Sequence, residues 1–261
     1  MSAPPLTWLF VPADRPDRVE KAIASRAHAV IVDLEDGVPL AAKAEARANA
    51  VALLATPREK AVFVRVNAGD DDDLAAVAQM PLAGVVVPKV ERPEDVPELP
   101  VVHALIETAR GVEAAFEIAS HPSVRGISLG EEDLRSQTGA LADGLDWPRA
   151  RIVNAAIAAG LPRPPQSLYP HVRDVDGLAA SCRHGRTLGH LGRVAIHPGQ
   201  LETIERAYLP TPEEVERANA TVDLLDRAAV GTVGDGAFVD PAMLGAARMT
   251  LALAEAYGVA E

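Results

Sequence analysis

The sequence predicts an α/β protein, a (β/α)8 TIM barrel that carries a C-terminal helical extension. Eight short apolar runs alternate with helical segments before the C-terminal region begins. Most of these runs lack a strict alternation of apolar and polar residues, which indicates parallel strands buried on both faces. No run is followed by a glycine-rich nucleotide-binding motif, so the TIM barrel is favoured over a doubly wound sheet.

The elements follow one another in a regular order. The predicted strands are residues 6–12, 29–36, 61–67, 83–90, 101–107, 125–133, 167–172 and 192–198. The seventh strand is the poorest of them because Pro170 interrupts it. Helical patterns connect the strands and are clearest over residues 148–160 and 177–189, whereas the proline-rich connection after the fourth strand predicts at most a weak helix.

A strong helix is predicted after the eighth strand, over residues 211–230, with Thr211 as its N-cap. A glycine-rich loop over residues 231–240 and a final helix over residues 241–258 follow it. We therefore expect a TIM-barrel catalytic domain over residues 1–210. Residues 211–261 are expected to be helices of the same domain that act as a lid or an oligomerisation extension.

The composition excludes several classes of protein. Its 48% hydrophobic and 24% charged residues are typical of a globular domain. A net charge of -12 argues against a nucleic-acid or membrane surface as a partner. Cys182 is the one cysteine, so no internal disulfide can form. No apolar run approaches the roughly 18 residues of a membrane helix, and no basic leader precedes the first strand. These features predict a soluble, cytoplasmic protein.

Charged and polar side chains concentrate at the carboxyl ends of the predicted strands, where TIM-barrel enzymes place their chemistry. They are Glu35, Asp36, Arg65, Asn67, Lys89, Glu107, Asp133 and His197. Because burial and like-charge repulsion make such a cluster costly, it indicates a bound cation.

Glu107 and Asp133 follow neighbouring predicted strands and are the candidate ligands. Two carboxylates with water in the remaining positions describe a Mg²⁺ or Mn²⁺ site that chelates a 2-oxo or 2-hydroxy acid. Arg65 could pair with the substrate's carboxylate or stabilise an enolate oxygen. This combination suits making or breaking a carbon–carbon bond next to a carbonyl. Lys89 could form a Schiff base in an unrelated class of aldolase, but the clustered carboxylates favour the metal route.

Eight segments, in one order along the chain, carry a resemblance to a known family. They are LTWLFVPADRPDRVEKA, AVIVDLEDGVPLAAKAEAR, VRVNAG, VVVPKVE, LIETARGV, SLGEEDL, RVAIHPGQLETIERAYLPTPEEV and DGAFVDPAML. On these segments the chain resembles the citrate lyase β-subunit-like proteins of the HpcH/HpaI aldolase superfamily, which include malyl-, citramalyl- and citryl-CoA lyases. The resemblance covers nearly the whole chain.

The resemblance implies a Mg²⁺-dependent carbon–carbon lyase, with Mn²⁺ as an alternative metal. The enzyme would cleave or form a short 3-hydroxyacyl-CoA thioester and so interconvert it with a 2-oxo acid and acetyl-CoA. The resemblance also implies that Glu107 and Asp133 bind the metal and that Glu35 and Asp36 lie near its water ligands.

The resemblance further implies how the substrate is handled. Arg65 contacts the substrate and takes part in catalysis, and Glu107 contributes to substrate binding. The resemblance implies that Asp240 is a catalytic acid/base delivered into a neighbouring subunit's site, so we expect a homo-oligomer, a trimer or a dimer of trimers. The expected partner is a small acyl-CoA or oxo acid; no feature of the sequence reveals an acyl-carrier partner.

Three alternatives share this site. If water completes the reaction, the protein is an acyl-CoA thioesterase of the malyl-CoA type. If CoA is irrelevant, it is an aldolase on free hydroxy-oxo acids. The third alternative is a carrier-dependent citrate lyase β subunit. The products and the required carrier distinguish these alternatives.

Overall fold

A seven-stranded parallel sheet is the centre of the protein. The structure is a computed structural model that describes residues 4–234 and 236–259. The strands are β1 (Thr7–Pro12), β2 (Ala29–Asp33), β3 (Ala61–Arg65), β4 (Gly84–Val87), β5 (Val102–Ile106), β6 (Val124–Leu129) and β7 (Arg193–Ala195). Their order in the sheet is β6-β5-β4-β3-β2-β1-β7, and every neighbouring pair is parallel. The predicted α/β class with a parallel sheet is confirmed.

Helices connect the strands in the alternating order that the sequence predicts. They are α1 (Pro16–Ile23), α2 (Lys43–Leu53), α3 (Asp71–Val77), α4 (Ala109–Glu113), α5 (Ala115–Ala119), α6 (Glu131–Thr138), α7 (Asp146–Ala158), α8 (Val175–Thr187) and α9 (Leu201–Tyr208). After β4 the connection holds only a short 3-10 turn, Pro93–Asp95, as its prolines led us to expect. No described helix combines the length and the apolar character needed to cross a membrane.

The predicted seventh strand is wrong for the described residues. Where a strand was expected over residues 167–172, the chain makes a single parallel bridge, from Gln166 to Arg193 of β7. Pro164, Pro165 and Pro170 flank this bridge, and proline has no N–H to donate to a ladder. Within the described residues no ladder joins this segment to β6, so the sheet is curled but open at that side.

The sixth strand is shorter than predicted, and this changes the setting of the acidic residues that follow it. Strand β6 ends at Leu129, and helix α6 begins at Glu131. Asp133 therefore lies in the first turn of a helix rather than at a strand end. Acidic residues are favourable there because the helix dipole is positive at its N-terminus.

Apolar side chains from alternate positions of the strands pack together on the inner face of the curled sheet. Trp8, Ala29, Ile31, Val86, Leu105 and Val194 form one buried cluster. Because side chains of a strand alternate between its two faces, the remaining strand positions pack against the surrounding helices. The sheet is thereby buried on both faces, as the absence of alternating polarity predicted.

His103 of β5 lies in this interior and is 8% exposed. Its Nε2 lies 2.9 Å from Ser128 Oγ, and burial lowers the pKa of His103 to about 4. Unfolded histidine titrates near pH 6.5. Between pH 6.5 and 4 the unfolded chain therefore binds a proton that the folded protein does not, so stability falls as the pH falls through this window.

We expect this histidine to contribute about 2 kcal/mol to the loss of unfolding free energy between pH 7.5 and 5. Urea unfolding at the two pH values measures the effect, with His103→Gln as the comparison. The variant should lose about 2 kcal/mol less than the wild type over the same interval, because its other titratable groups are unchanged. Equal losses in both proteins would contradict a neutral, buried His103.

The chain divides into two compact units. One spans residues 5–207 and holds the seven-stranded sheet. The other contains residue 4, residues 208–234 and residues 236–259 of the described chain. It consists of helix α10 (Pro212–Leu225), the antiparallel hairpin β8 (Gly231–Val233) and β9 (Ala237–Val239), and helix α11 (Leu244–Tyr257).

In the second unit the N-terminus of α10 is as predicted, whereas the segment after α10 and the start of α11 differ from the prediction. Thr211 caps α10 in a capping box with Glu214, whose backbone N–H bonds the Thr211 hydroxyl while its carboxylate accepts from Thr211. The region predicted as a loop, residues 231–240, contains the β8–β9 hairpin. Helix α11 begins three residues later than predicted, after a 3-10 turn, Pro241–Met243.

Candidate active site

Four of the predicted site residues line one cavity at the carboxyl edge of the sheet. One cavity of about 170 Å³ is lined by Asp36, Arg65, Glu107 and Asp133. The apolar part of the cavity wall comes from the inner face of the sheet and includes Trp8. Parallel strands end at the same edge, which explains why residues separated by almost one hundred positions share this cavity.

Glu107 is the most deeply placed carboxylate of this group, with 2% exposure. Its Oε1 accepts a hydrogen bond from the backbone N–H of Lys89 at 2.9 Å and lies 3.7 Å from Lys89 Nζ. Burial raises the pKa of Glu107 to about 7, and the charges of Glu35 and Asp133 act in the same direction. A carboxylate held in this way is well suited to bind a cation, because a cation relieves both effects.

Gly130 makes the close approach of Glu107 possible. A Cβ added at Gly130 would lie 2.5 Å from the Cβ of Glu107, and closer still to its Oε2. The φ of Gly130 is -89°, which any residue adopts, so the restriction is steric. This glycine was not identified from the sequence; its position beside a candidate ligand is visible only in the structure.

We expect Gly130→Ala to weaken Mg²⁺ binding and turnover by about ten- to a hundredfold, since a displacement of about 1 Å at a catalytic group has effects of this size. Calorimetric titration with Mn²⁺ and the Mg²⁺ dependence of turnover measure the effect. Gly245→Ala is the matched control because a Cβ added there meets no atom within 4 Å. Unchanged affinity in Gly130→Ala would contradict the placement of Glu107 as a ligand.

Asp133 lies on the exposed side of the cavity, in the first turn of α6. Its charge reaches Glu107, whose pKa it helps to raise. Within the described residues no group of three or more His, Cys, Asp or Glu side chains is arranged to hold a metal ion. Two carboxylates remain compatible with Mg²⁺, which commonly keeps several waters and binds through one or two carboxylates.

Arg65, the last residue of β3, is fixed by its neighbours. Its Nε and Nη2 donate to the two carboxylate oxygens of Asp33 at 2.6 and 2.7 Å, and its guanidinium stacks on the Phe10 ring at 4.7 Å. Although burial disfavours the charge, Asp33 and Glu35 more than offset it and hold the pKa of Arg65 above its ordinary value. The guanidinium is therefore a permanent, oriented positive charge at the cavity wall.

The contribution of Asp33 to the site was not identified from the sequence. It is the last residue of β2 and pairs in register with Arg65 of β3. Asp33 also accepts from the backbone N–H groups of Glu35 and Gly37, at 2.9 and 2.8 Å. It thus shapes the loop that carries the predicted acids. An acidic residue in register with a basic one at the strand ends was the signal that could have identified it.

Glu35 and Asp36 occupy different environments. Glu35 is buried: its Oε1 lies 2.6 Å from Lys89 Nζ, and its Oε2 lies 3.0 Å from Arg65 Nη1. That second oxygen is buried but accepts no aligned hydrogen bond from the described residues. Burial raises the pKa of Glu35 against the effect of Lys89 and Arg65. Asp36 is largely exposed and lies 4.0 Å from Arg65 Nη1.

Lys43 is a second residue that sequence reasoning did not find. Its Nζ donates to the carbonyls of Leu34 and Glu35, at 2.8 and 2.6 Å, and to Asn67 Oδ1 at 2.6 Å. These three bonds use all the donors of the ammonium group. Lys43 therefore fixes the backbone of the loop after β2. No local motif marks this role, because the three acceptors come from two different loops.

The remaining acids and His197 have their own partners. Glu131 forms a buried, two-point ion pair with Arg149, which occupies its carboxylate. His197 Nδ1 accepts from the backbone N–H of Gly199 at 3.0 Å at the start of a short 3-10 turn. Asp240 belongs to the C-terminal unit, where its Oδ1 accepts from the backbone N–H of Ala242 at 3.0 Å. Its role stays a prediction.

The donor set fits a divalent cation. Two buried carboxylates lie at the cavity edge. Oε2 of Glu35 accepts no hydrogen bond from the described residues, and the pKa of Glu107 is raised. Carboxylates are the oxygen ligands that Mg²⁺ and Mn²⁺ prefer. The carboxylates at this edge therefore favour a hard cation over a softer metal that prefers sulfur or nitrogen.

Comparisons with known proteins show which family the chain resembles. Residues 6–102 and 98–198 match the HpcH/HpaI aldolase/citrate lyase family. A (3S)-malyl-CoA thioesterase of Cereibacter sphaeroides (strain KD131) is 36% identical over 279 residues, covering 95% of this chain and 94% of the relative. The structure of CitE from Mycobacterium tuberculosis in complex with magnesium, acetoacetate and coenzyme A has a TM-score of 0.86 and 35% identity. That match covers 98% of this chain and 100% of the other.

A second structure shows a related complex. The citrate lyase β subunit from M. tuberculosis, complexed with oxaloacetate and magnesium, has a TM-score of 0.71 and 38% identity. The match covers 78% of this chain and 97% of that chain.

Proposed function

Because the chain belongs to the HpcH/HpaI aldolase/citrate lyase family, we propose that it is a Mg²⁺-dependent carbon–carbon lyase acting on a short 3-hydroxyacyl-CoA thioester. The substrate would be of the malyl-, citramalyl- or citryl-CoA type, and the products a 2-oxo acid and acetyl-CoA. The observation that carries the proposal is the convergence of Glu107, Asp133 and Arg65 on one cavity at the carboxyl edge of the sheet. Related proteins bound to magnesium, coenzyme A and oxo acids support it.

Glu107 and Asp133 would hold the metal, with Glu35 and Asp36 near its water ligands. When bound, the cation supplies Lewis-acid polarisation of the oxo acid's carboxylate and of the neighbouring oxygen. Mn²⁺ would be expected to substitute for Mg²⁺, because both prefer oxygen ligands.

Arg65 and Asp240 would carry the remaining chemistry. In the cleavage direction the hydroxyl on C3 loses its proton to solvent water and becomes the carbonyl of the 2-oxo acid, while the C2–C3 bond breaks. The electron pair of that bond passes to C2 of the thioester and gives an enolate. Asp240 then donates a proton to C2 and forms acetyl-CoA; in the reverse direction it removes that proton. The fixed charge of Arg65 stabilises negative charge on the substrate's oxygens throughout.

A thioesterase is the second candidate, since the relative from C. sphaeroides is a (3S)-malyl-CoA thioesterase. The same cavity would then admit water to the thioester, and the products would be a free acid and CoA. The experiment that separates the two functions is a screen of malyl-, citramalyl- and citryl-CoA with Mg²⁺ and with chelator. A lyase gives equal amounts of 2-oxo acid and acetyl-CoA. Free CoA without oxo acid would identify the thioesterase, and turnover in chelator would overturn both.

The architecture around the site is also part of the proposal. We propose that the open, curled sheet is the TIM-barrel fold expected for residues 1–210, and that residues 211–261 form a lid or oligomerisation extension. The protein would act as a homo-oligomer, a trimer or a dimer of trimers, in which Asp240 enters a neighbouring subunit's site. A buried, free Cys182 is consistent with the cytoplasm as its compartment.

A further inference from the structure

Lys89 is a charged residue beside Glu107 to which the proposed reaction assigns no role. Its Nζ lies 2.6 Å from Glu35 Oε1 and 3.7 Å from Glu107 Oε1. Its backbone N–H also donates to Glu107 at 2.9 Å. Lys89 therefore contacts a proposed metal ligand both through its backbone and through its charge.

Lys89 makes these contacts with its backbone in a strained, left-handed conformation. Its φ is 56°, and Lys89 is the one residue other than glycine with a positive φ among residues 4–234 and 236–259. A left-handed backbone is unfavourable for a lysine and persists only where the surroundings impose it, commonly at functional sites. Here the N–H of Lys89 faces Glu107, which follows β5, and its ammonium faces Glu35, which follows β2; β3 and β4 lie between these two strands in the sheet.

The charges around the cavity explain what the ammonium does. Asp33 is paired with Arg65, and Glu131 with Arg149. Glu35 contacts both Arg65 and Lys89, whereas Glu107 is ion-paired with Lys89. Two buried carboxylates close to one ammonium are partly neutralised in the protein without metal. A divalent cation that binds Glu107 must approach this same ammonium.

We propose that Lys89 is a tethered counter-cation of the metal site, which compensates Glu35 and Glu107 in the metal-free protein and competes with the incoming divalent cation. This inference rests on the proposed metal site at Glu107. Lys89 is thus a positioning residue that sets the affinity for the metal. Its flexible side chain, which is 40% exposed, can move toward solvent when the metal binds.

Titration of the substrate-free protein with Mn²⁺, followed by calorimetry and by the EPR signal of free Mn²⁺, tests this role without turnover. Lys89→Met removes the charge and keeps the length of the side chain. We expect it to bind Mn²⁺ about tenfold more tightly than the wild type, because a repulsive charge next to the cation is gone. Lys89→Arg keeps the charge and should stay within about threefold of the wild type.

Two further variants distinguish a failure of the proposed role of Lys89 from a failure of the proposed metal site. Arg206→Met removes one positive charge from an exposed helix position, with 79% side-chain exposure, and should leave the affinity unchanged. Glu107→Gln should abolish binding. Equal or weaker binding by Lys89→Met, while Glu107→Gln loses binding, would overturn the role of Lys89 alone. Absence of Mn²⁺ binding in every protein, Lys89→Met included, would overturn the metal site and this inference together.

Thermal unfolding with and without Mg²⁺ provides a second measurement, independent of the Mn²⁺ titration. Without metal, Lys89→Met leaves two carboxylates less compensated and should unfold at a lower temperature than the wild type. Addition of saturating Mg²⁺ should therefore raise its Tm by more than it raises the wild-type Tm. An equal or smaller rise would count against the proposal.

Discussion

Glu107→Gln is expected to lower carbon–carbon cleavage by at least about a thousandfold and to abolish Mn²⁺ binding, because it removes a metal ligand's charge while preserving its shape. The amide oxygen can still accept from the Lys89 N–H, as Oε1 of Glu107 does in the wild type. Turnover of the best substrate from the CoA-ester screen and Mn²⁺ titration measure the two effects. Glu117→Gln, on the exposed side of α5, is the matched control and should behave as the wild type.

Stability measurements distinguish this loss from unfolding. Since burial raises the pKa of Glu107 to about 7, well above the value of about 4.5 for an unfolded glutamate, ionised Glu107 costs folding free energy. The stability that protonated Glu107 contributes below pH 4.5 is lost as the pH rises through 7. Metal-free Glu107→Gln should therefore be more stable than metal-free wild type at pH 8, by about 1–3 kcal/mol. An inactive variant that is also strongly destabilised there would contradict the account.

Asp240→Asn is expected to lower kcat by about a hundred- to ten-thousandfold, the usual contribution of general acid–base catalysis, and to leave Mn²⁺ affinity unchanged. The reason is that Asp240 moves a proton and does not hold the metal in the proposed mechanism. Asp226→Asn, an exposed position at the end of α10 in the same compact unit, is the control for a neutralised aspartate. Loss of Mn²⁺ binding in Asp240→Asn would place Asp240 in the metal site instead.

Mixing the two inactive proteins tests whether Asp240 acts in a neighbouring subunit. A hybrid oligomer of Glu107→Gln and Asp240→Asn subunits contains sites that combine an intact Glu107 from one chain with an intact Asp240 from the next. Activity should then return after subunit exchange. If exchange is demonstrated by mass spectrometry and activity does not return, Asp240 does not act across a subunit boundary.

The sequence was sufficient to place most of the cavity because parallel strands bring their carboxyl ends to one edge. Arg65 and Glu107 could be located at or directly after buried apolar runs, and both line the cavity. Asp133 also lines it, although the residue lies in a helix and not at a strand end. The wrong secondary structure at Asp133 does not change the predicted site, because α6 begins two residues after β6 ends and its first turn lies at the same edge of the sheet.

Other features depended on contacts that no run of residues encodes. The predicted seventh strand does not form because Pro170 lacks the N–H that a ladder needs, and an apolar pattern does not count hydrogen bonds. Asp33 acts through Arg65 at the end of the neighbouring strand, and Lys43 acts through acceptors in the loops after β2 and β3, so neither role has a signature within its own segment. The strained backbone of Lys89 is imposed by tertiary packing and is invisible to local propensity. These residues support the ligands and are not themselves ligands.

The most direct test of the metal site is a crystal structure of the wild-type protein with Mn²⁺ and oxaloacetate, measured at a wavelength where manganese scatters anomalously. The account predicts one anomalous peak at the carboxyl edge of the sheet, with a carboxylate oxygen of Glu107 and one of Asp133 each within about 2.3 Å. A fully occupied manganese site that lacks either carboxylate, or a peak elsewhere with this cavity empty of metal, would contradict it.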